Sequence, residues 1–363
     1  MKNIVYLVTQ LINSGPENVV LNICKCLDRS VFSPVVFSLR EKPEVNSIEE
    51  EFEKLNIKVH HFDFSTFQLE FQTERVAKRI EKEFISVKGD ILHVHCYHPN
   101  LIASKLKIIP TIATIHQISG EDFIMKKGNY LGRYMKWRFD RTLSGIDKVV
   151  VISDYMLDYY KRMATNLTKI PNGVLLDQSH KEVIFLKTKF NVETAKLIIL
   201  ITGALSSRKN VVYLIKELRE SKEDFTCIIL GEGDKRNDCE AAIDGDTRFR
   251  LEGFKSNVSD YLAIADLYIS ASKSEGLPMS VLEALNMGVP CLLSDIPPHV
   301  EIAKNMDMEG VSCYSLCPGG LRSCFEESMK WHNDKKEIEK KAKSLYSSEA
   351  MTALYERIYS EIV

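Results

Sequence analysis

The chain has 363 residues and a mass of 41.5 kDa, which predicts two domains at the usual ~100–200 residues per domain. With 27% charged and 45% apolar residues, its composition is that of a globular protein. The net charge of −2 disfavours a general nucleic-acid binder, because such a protein needs a basic surplus. No apolar run approaches the ~18–20 residues of a membrane span, and Met1–Gln10 lacks the pattern of a signal peptide, so we expect a cytoplasmic protein.

The nine cysteines form neither a metal-binding pattern nor a disulfide framework. They are scattered from Cys24 to Cys324, their number is odd, and no Cys-x-x-Cys pair occurs. The closest spacings, at Cys24-x-Cys26 and Cys313-x3-Cys317, have no second half-site that would complete a zinc centre. We therefore expect reduced thiols that serve as small apolar residues.

The first half of the chain alternates short apolar runs with longer amphipathic stretches. Val20, Ile23, Cys24 and Leu27 recur at three- and four-residue spacing, which predicts a helix that faces a core. An acidic helix is predicted over about Ser47–Leu55. Apolar, β-branched runs predict buried strands at Ile4–Val8, Val35–Leu39, Lys58–Phe62, Asp90–Val94, Thr111–Ile115 and Lys148–Ile152. Such alternation is typical of a parallel sheet with helices on both faces.

A second strand–helix series begins after Pro171-Asn172-Gly173, whose turn chemistry predicts a domain junction. Its predicted strands are Leu197–Ile201, Cys227–Leu230, Phe249–Leu251, Leu267–Ser270 and Cys291–Ser294. Its predicted helices are Val211–Arg219, Val258–Ala265, Met279–Met287 and a last helix over Lys335–Val363. The chain is thus expected to fold as two doubly wound α/β halves, which bind ligands at the carboxyl ends of their strands and, in a two-domain version, in the cleft between the halves.

Two glutamates, Glu275 and Glu283, lie with seven residues between them in the segment after the predicted strand Leu267–Ser270. Glu275 falls in the loop that leaves this strand, and Glu283 on the following helix. Glu283 would accept both hydroxyls of a ribose, whereas Glu275 would face whatever hangs from the distal phosphate of a nucleotide. The alternative is that both are solvated surface charges.

The same segment predicts an anion site where its helix begins. Pro278 suits the first helical turn, where its missing N–H would be unpaired anyway. The N–H groups of Met279, Ser280 and Val281 would then be free to bind a diphosphate.

Two adjacent cations, Arg208 and Lys209, follow the predicted strand Leu197–Ile201. A guanidinium fork and an ammonium point charge both suit phosphate oxygens. Because cations oppose the macrodipole where a helix begins, a bound anion would help to explain them. The alternative is a solvated pair of charges.

In this combination the chain resembles the retaining, nucleotide-sugar-dependent glycosyltransferases of family 4 (glycosyl transferases group 1), which have the GT-B fold, over essentially its whole length. The motifs that carry the resemblance are Glu275-x7-Glu283 with its Glu-Gly-Leu-Pro start, Arg208-Lys209-Asn210, Gly231-Glu232-Gly233-Asp234, Pro171-Asn172-Gly173-Val174, Leu251-Glu252-Gly253-Phe254 and Ala265-Asp266-Leu267. The resemblance implies two Rossmann-like domains that face each other across a cleft. Residues 1–170 would form the acceptor-side domain, with a C-terminal helix over about 345–363 packing on it, and residues 171–344 the domain that binds the nucleotide sugar.

The resemblance also implies roles for individual residues. Glu275 would contact the donor sugar, Glu283 the ribose, and Arg208 and Lys209 the diphosphate. The remaining donor-binding positions that it implies are Gly15, Gly203, Gly231, Gly233, Gly276, Leu277, Pro278 and Met279. The sequence departs from the family pattern at Ala204, because relatives often have an arginine after the glycine that corresponds to Gly203. Arg208 would take over the role of that arginine.

In the first half, the family's small-residue loop corresponds to Ser14-Gly15-Pro16-Glu17, where Ser14 replaces a glycine and Pro16 removes an N–H.

His116, at the end of a predicted strand, matches a histidine that relatives place beside the donor sugar and is a candidate catalytic residue together with Glu275, Lys209 and Arg208. His93-x-His95-x-x-His98 is spaced like a metal site, yet no nearby acidic ligand completes it. We expect no metal and no other cofactor, as the resemblance also implies.

The implied reaction moves a sugar from a nucleotide diphosphate, with a UDP-sugar expected, to a saccharide acceptor with retention. We expect a lipid-diphosphate-linked acceptor in bacterial surface-polysaccharide (O-antigen or capsule) assembly, as for many relatives.

Phe123–Arg141 is basic and aromatic, with Asp140 as its single acid, and suits anionic lipid headgroups on the inner face of the plasma membrane. Its candidate membrane or acceptor contacts are Lys126, Lys127, Arg133, Lys136, Trp137 and Arg138. The alternative is a helix whose aromatic residues pack inward.

Three other functions share parts of this pattern. A sugar-nucleotide epimerase has the same two-domain plan but not the spacing of Glu275 and Glu283. A non-catalytic sugar-binding protein of periplasmic type would need a signal peptide. A catalytically inactive relative would fit Ala204, Ser14 and Pro16, but not the intact Glu275, Glu283 and Lys209.

Overall fold

The computed structural model describes residues 1–176, 181–190, 197–332 and 334–362, apart from the side chain of Lys126. The chain divides into two compact units. Unit 1 comprises Met1–Gly173 and Ser348–Val363, and unit 2 comprises Val174–Ser347. The first division falls directly after the Pro171-Asn172-Gly173 turn, a few residues beyond the predicted boundary at residue 170.

Unit 1 is built on a parallel sheet of seven strands in the order β3-β2-β1-β4-β5-β6-β7. Its central strands form because each is a short, apolar, largely β-branched run, and every residue of Ile4–Val8 is inaccessible to solvent. The elements in chain order are β1 (Lys2–Val8), α1 (Gly15–Cys26), β2 (Phe32–Ser38), α2 (Glu49–Lys54), β3 (Lys58–His61), α3 (Thr66–Phe71), α4 (Thr73–Ser86), β4 (Ile91–His95), α5 (Tyr97–Ala103), β5 (Thr111–Ile115), α6 (Ser119–Thr142), β6 (Lys148–Val151), α7 (Asp154–Tyr160) and β7 (Leu167–Lys169).

Unit 2 is built on a parallel sheet of six strands in the order β10-β9-β8-β11-β12-β13. Its elements in chain order are α8 (Val183–Lys189), β8 (Ile198–Thr202), α9 (Val211–Arg219), β9 (Thr226–Leu230), α10 (Arg236–Ile243), β10 (Phe249–Gly253), α11 (Val258–Ile264), β11 (Leu267–Ser270), α12 (Met279–Asn286), β12 (Cys291–Ser294), α13 (Pro297–Met306), β13 (Val311–Tyr314), α14 (Gly320–Ser328) and α15 (Lys335–Tyr346). The predicted fold class, two doubly wound parallel α/β domains, is therefore confirmed. Two strands escaped the sequence analysis, β7 and β13, because both are short and only partly apolar.

The strand orders place a topological switch point in each sheet. In unit 2 the chain proceeds from β8 to β9 on one side and returns to β11 on the other. The loops that follow β8 and β11 therefore diverge and leave a crevice at their carboxyl ends, where ligands of such sheets bind. In unit 1 the corresponding strands are β1 and β4.

The single helix predicted from periodicity over Lys335–Val363 is in fact two helices that belong to different units. The second lies where the family resemblance implied a C-terminal helix of about 345–363 on the first domain. α15 ends at Tyr346, Ser347 is extended (φ −77°, ψ 155°), and α16 (Ser348–Ile362) packs on α1 of unit 1. Val363 lies outside the described residues. Sequence periodicity missed the break because Ser347 is neither Gly nor Pro.

α16 is fastened to the sheet of unit 1 by buried hydroxyl and imidazole groups. The Tyr359 hydroxyl lies 3.1 Å from the Tyr6 hydroxyl of β1 and 2.8 Å from Nδ1 of His93 on β4. His93 Nε2 lies 2.8 Å from the Thr114 hydroxyl of β5, which is also 2.8 Å from the Tyr355 hydroxyl. These side chains are buried, so each polar group finds its hydrogen-bond partner within the network, and the network fixes the position of α16 on the sheet.

Removing the Tyr359 hydroxyl tests this attachment. Tyr359→Phe leaves the buried Tyr6 hydroxyl and His93 Nδ1 without this partner, so we expect the free energy of unfolding of unit 1 to fall by roughly 1–3 kcal/mol. Tyr355→Phe is the matched control, because Thr114 keeps its bond to His93 Nε2. We expect a smaller loss there in chemical denaturation, and equal losses would contradict the central position given to Tyr359.

Candidate active site

The loops after β8 and β11 meet at a buried ion-pair cluster. Arg208 and Lys209 lie in the first loop and Glu275 in the second. Arg208 Nη1 is 2.6 Å from Glu275 Oε2, and Lys209 Nζ is 2.7 Å from Glu275 Oε1. The Glu275 side chain is only 7% exposed. The tertiary structure thus brings together the three groups that the sequence analysis proposed from separate motifs.

The electrostatics of the cluster keep Glu275 ionised. Burial disfavours its charged form, but the adjacent Lys209 and Arg208 outweigh that cost and lower its pKa to about 2. In this structure Glu275 is therefore the counter-ion of both cations. The anion that the sequence analysis expected beside them is supplied, in this structure, by the protein itself.

Main-chain contacts tie the two loops together around this pair. Arg208 Nη1 also donates to the carbonyl oxygen of Ser274 at 2.9 Å, and the N–H of Lys273 donates to the carbonyl oxygen of Arg208 at 2.9 Å. The Ser272 hydroxyl donates to Glu275 Oε1 at 2.9 Å. Glu275 is therefore held at both carboxylate oxygens.

Glu283 lies on α12 and is half-buried. Burial raises its pKa to about 7, and the nearby charge of Lys209 only partly opposes this. The two glutamates of the motif thus differ sharply in their environment: Glu275 has two paired cations, whereas Glu283 has a single, more distant one. Near neutral pH, Glu283 is poised between its neutral and charged forms.

The start of α12 differs from the prediction in two details. Pro278 is the cap residue in an extended conformation (φ −74°, ψ 111°), and the helix begins at Met279. The N–H of Val281 already donates to the carbonyl oxygen of Pro278 at 3.1 Å. The predicted anion site therefore loses Val281 and keeps the N–H groups of Met279 and Ser280. Gly276 and Leu277 are buried in the preceding turn.

The glycines predicted to bind the donor have a packing reason of their own. A Cβ on Gly231 (φ 145°) would lie 1.9 Å from the carbonyl oxygen of Gly203, and one on Gly233 would lie 2.3 Å from that of Leu205. Gly203 itself lies against Lys209, with 3.1 Å from a built Cβ to Cε. These glycines let the loops after β8 and β9 approach each other closely, which places Lys209.

His116 directly follows β5, as the sequence analysis predicted, but it is not alone. Its Nε2 lies 2.9 Å from Nδ1 of buried His95 on β4. Burial lowers the pKa of His116 to about 3 and holds that of His95 well below its usual range, so both rings are neutral.

The motif His93-x-His95-x-x-His98 does not converge on one point. His93 bonds to Tyr359 and Thr114, His95 to His116, and His98 to Glu70. Within the described part of the chain, no group of three metal-ligating side chains is arranged to hold an ion. The spacing arose instead from two buried strand positions and one position on α5.

Gly15 opens α1, with Ser14 as its cap and Pro16 in the first turn. A Cβ at Gly15 would have no atom within 4 Å among the described residues, so the main chain faces open space here. The buried carboxyl of Glu17 bonds to the Ser14 hydroxyl, and burial raises its pKa.

The basic, aromatic segment Phe123–Arg141 is part of α6, which is broken at Gly128 (φ 77°, ψ 176°). Phe139 packs inward against Tyr97, whereas Trp137 and Tyr130 are 53% and 93% exposed. The inward-packing alternative therefore holds for Phe139, whereas the contact of the exposed aromatic residues with a membrane stays a prediction.

The cations of this segment also divide into two groups. Lys127 and Arg133 are exposed, Lys136 pairs with Asp140, and Arg138 pairs with Glu70 at 2.6 Å. The backbone of Lys126 is helical, but its side chain lies outside the described residues. None of the helices that the structure describes has the length and apolar content that a membrane crossing requires.

Several residues around Glu275 were missed by the sequence analysis. Ser272, Ser294 and His299 are fully buried beneath it, and burial lowers the pKa of His299 to about 4 although Glu275 partly opposes this. The sequence contained a signal for the two serines, because polar residues at the carboxyl ends of two neighbouring parallel strands lie at the same edge of the sheet. The three residues could not be singled out, because serine is common in loops and because His299 lies on a separate helix.

The two glutamates can be distinguished by their effect on stability. An unfolded chain releases the Glu283 proton near its ordinary pKa of about 4.5, whereas the folded chain holds it until about pH 7. The free energy of unfolding therefore falls as the pH rises through this window. Glu283→Gln carries a neutral side chain throughout, so we expect it to gain roughly 1–3 kcal/mol over the wild type between pH 5 and pH 8 in denaturant titrations. Parallel pH profiles would contradict the burial of this carboxyl.

Two family models match the chain in succession. The model described as Glycosyltransferase Family 4 matches residues 13–178, and the one described as Glycosyl transferases group 1 matches residues 183–316. The first match lies almost wholly in unit 1 and the second in unit 2, where it includes the Glu275 and Glu283 motif.

Curated relatives and solved structures agree with these matches. The chain is 26% identical over 252 residues to the UDP-Gal:alpha-D-GlcNAc-diphosphoundecaprenol alpha-1,3-galactosyltransferase of Escherichia coli, over 63% of this chain and 62% of that enzyme. It is 22% identical over 320 residues to the O-antigen biosynthesis glycosyltransferase WclY of Escherichia coli, over 84% and 83% of the two chains. The chain thus spans less than two thirds of the length of the galactosyltransferase.

Among solved structures, a glycosyltransferase from Rickettsia africae ESF-5 superposes with a TM-score of 0.79 at 19% identity, over 99% of this chain and 98% of that one. This likeness concerns the fold, and it extends across both parallel-sheet units. Because the two family models follow one another along the chain and the fold agrees over its whole length, the protein belongs to the family 4 (group 1) glycosyltransferases with the GT-B fold.

Proposed function

We propose that the protein transfers a sugar from a UDP-sugar to a saccharide acceptor with retention of configuration at the anomeric carbon. The observation that carries this proposal is the buried carboxylate of Glu275, held by Arg208 and Lys209 at the switch point of β8 and β11. The name of the Escherichia coli galactosyltransferase, which specifies UDP-Gal, supports uridine as the base of the donor.

In this proposal the donor diphosphate exchanges with Glu275 for the two cations. Arg208 has further N–H groups and Lys209 has three, so each can bind phosphate oxygens while Glu275 rotates toward the hydroxyls of the donor sugar. The N–H groups of Met279 and Ser280 add donors at the start of α12. Glu283, further along that helix, accepts the ribose hydroxyls.

The proposed reaction proceeds on one face of the sugar. The bond from the anomeric carbon to the diphosphate oxygen breaks while a bond to the acceptor hydroxyl oxygen forms, and the hydroxyl proton passes to the departing diphosphate. The negative charge that develops on the diphosphate is met by Arg208 and Lys209. We propose that this charge needs no metal ion, because two fixed cations and two main-chain N–H groups already face it.

The first test measures nucleotide release from a panel of UDP-, GDP- and ADP-sugars. We expect slow release of UDP from at least one UDP-sugar. Lys209→Ala and Glu275→Ala are expected to lower turnover about 10²–10³-fold, because each removes a charged contact made during transfer. Lys222→Ala and Glu326→Ala, which alter exposed charges of the same unit, are expected to leave it unchanged.

Release of GDP or ADP alone would contradict uridine as the donor base. Near-normal turnover in Glu275→Ala or Lys209→Ala would contradict the proposed site. The stereochemistry is tested by NMR of the anomeric proton in the product, where inversion would contradict the one-face reaction. Added EDTA is expected to leave the rate unchanged if the reaction is independent of metal.

For the acceptor we propose a saccharide linked to a lipid diphosphate, assembled into a surface polysaccharide such as O-antigen or capsule. Two relatives support this proposal, because one is named for a diphosphoundecaprenol acceptor and the other for O-antigen biosynthesis. We assign the acceptor to unit 1, where neutral His116 offers a hydrogen-bonding group to a sugar hydroxyl and the main chain at Gly15 faces open space.

We further propose that α6 of unit 1 docks on an anionic membrane surface on the cytoplasmic side. Trp137 and Tyr134 lie exposed on it with their rings 6.2 Å apart, and Arg141 lies 5.0 Å from the Trp137 ring. The contact of Arg138 with Glu70 brings α3 alongside α6. α3 adds Phe67 and Phe71, which are 61% and 69% exposed and which the sequence analysis did not single out. Exposed aromatic rings among cations suit a lipid headgroup region.

Vesicle co-sedimentation tests this membrane surface. We expect the protein to bind phosphatidylglycerol vesicles at low salt and to be released at high salt, because basic residues contribute about 1 kcal/mol each near an anionic surface. Arg133→Glu and Trp137→Ser are each expected to weaken binding severalfold. Lys222→Glu in unit 2 is the control for the change in charge. Absence of binding at low salt, or an equal effect of Lys222→Glu, would contradict this surface.

A further inference from the structure

A chain of buried hydrogen bonds runs beneath the loop that carries Glu275. It begins at His299 on α13, passes through Ser294 at the end of β12, and reaches Ser272 after β11. These three side chains are inaccessible to solvent. From Ser272 the chain continues to Glu275 Oε1. The proposed reaction assigns no role to His299, Ser294 or Ser272.

The contacts fix which nitrogen of His299 carries the proton. Nδ1 lies 2.9 Å from the main-chain carbonyl oxygen of Ser294, which can only accept a hydrogen bond. Nδ1 also lies 3.0 Å from the Ser294 hydroxyl, whose own proton goes to the carbonyl oxygen of Ser272 at 2.6 Å. Both contacts require a proton on Nδ1. The low pKa of His299 keeps the ring neutral, which leaves Nε2 as an acceptor.

The remaining bonds of the chain then have a single direction. The Ser270 hydroxyl donates to the Ser272 hydroxyl at 3.4 Å, and the Ser272 hydroxyl donates to the ionised carboxylate of Glu275. Every donor therefore points toward Glu275. The main chain of Ser272 is held by Ser294, while its side chain holds the carboxylate oxygen that Lys209 also binds.

We propose that His299 is a positioning residue for Glu275 and acts through its Nδ1–H on Ser294 and Ser272. This inference rests on the proposed function, in which Glu275 contacts the donor sugar. A carboxylate that must leave two cations and turn to a sugar needs a fixed loop beneath it, since small displacements of a reacting group cost large factors in rate. His299 and Ser294 supply that support from outside the loop.

The tautomer gives a test with a matched pair of variants. In His299→Asn the side-chain amide nitrogen takes the place of Nδ1, whereas in His299→Gln it takes the place of Nε2. We expect kcat of His299→Gln to fall roughly 10-fold, and kcat of His299→Asn to stay within about threefold of the wild type. The dissociation constant for UDP is expected to stay within about twofold in both, because UDP lacks the sugar that Glu275 contacts.

Two further variants keep the test decisive if a histidine variant does not fold. Ser294→Ala removes the next hydroxyl of the chain and is expected to lower kcat to the same extent as His299→Gln. Ser328→Ala removes a buried serine hydroxyl elsewhere in unit 2, which donates to the carbonyl oxygen of Phe325, and is expected to leave kcat unchanged.

The outcomes separate this inference from the proposed function. A wild-type protein that releases UDP, with His299→Gln and Ser294→Ala as active as the wild type, overturns the positioning role alone. So does a loss of kcat that is equal in the Asn and Gln variants, or one that is accompanied by an equal loss of UDP affinity, because either result indicates general loosening. A wild-type protein inactive on every donor overturns the proposed function and the inference with it.

Discussion

The arrangement of the candidate site in unit 2 depends on one buried ionic contact, the carboxylate of Glu275 between Arg208 and Lys209. A carboxylate this deeply buried stays charged only because two cations compensate for its lost hydration, and removal of either partner would leave an uncompensated charge. Together with the main-chain hydrogen bond from Lys273 to Arg208, the contact joins the loops after β8 and β11, which diverge at the switch point. The glycines after β8 and β9 serve the same contact, because their close main-chain approach places Lys209.

That contact also explains how two glutamates of one motif acquire different chemistry. Glu275 is fully compensated and remains an anion, which suits a group that is to exchange its cations for sugar hydroxyls. Glu283 is half-buried with less compensation, so its charge depends on pH near neutrality. Environment rather than residue type separates the two roles, as in other sites where neighbouring carboxyl groups are tuned apart. The ionised carboxylate also sets the direction of the hydrogen bonds in the buried serines and His299, because it can only accept.

The buried polar contacts that attach α16 to the sheet of unit 1 are neutral hydrogen bonds rather than ion pairs. Buried Tyr359 and His93 connect α16 to the sheet, and His95 lies against His116, with both rings neutral. The three histidines that resemble a metal motif therefore have separate partners: His93 and His95 lie in two buried networks, and His98 makes a partly buried contact with Glu70. A spacing of two residues along a strand puts side chains on one face, but it does not specify what packs against that face.

The sequence by itself determined the fold class, most strand positions and the turn at Gly173, because these follow from short-range periodicity and turn chemistry. The order of its motifs, through the family resemblance, predicted that Glu275, Glu283, Arg208 and Lys209 serve one donor site. Only the tertiary structure decided that Glu275 already neutralises both cations, that Pro278 caps α12 rather than opening it, that the break between the last two helices falls at Ser347, and that Ser272, Ser294 and His299 lie beneath the site. Each of these depends on contacts between residues distant in the chain, whose energies come from burial and from partner geometry. Local sequence does not encode those quantities, so a buried serine or histidine carries its meaning only once its neighbours are in place.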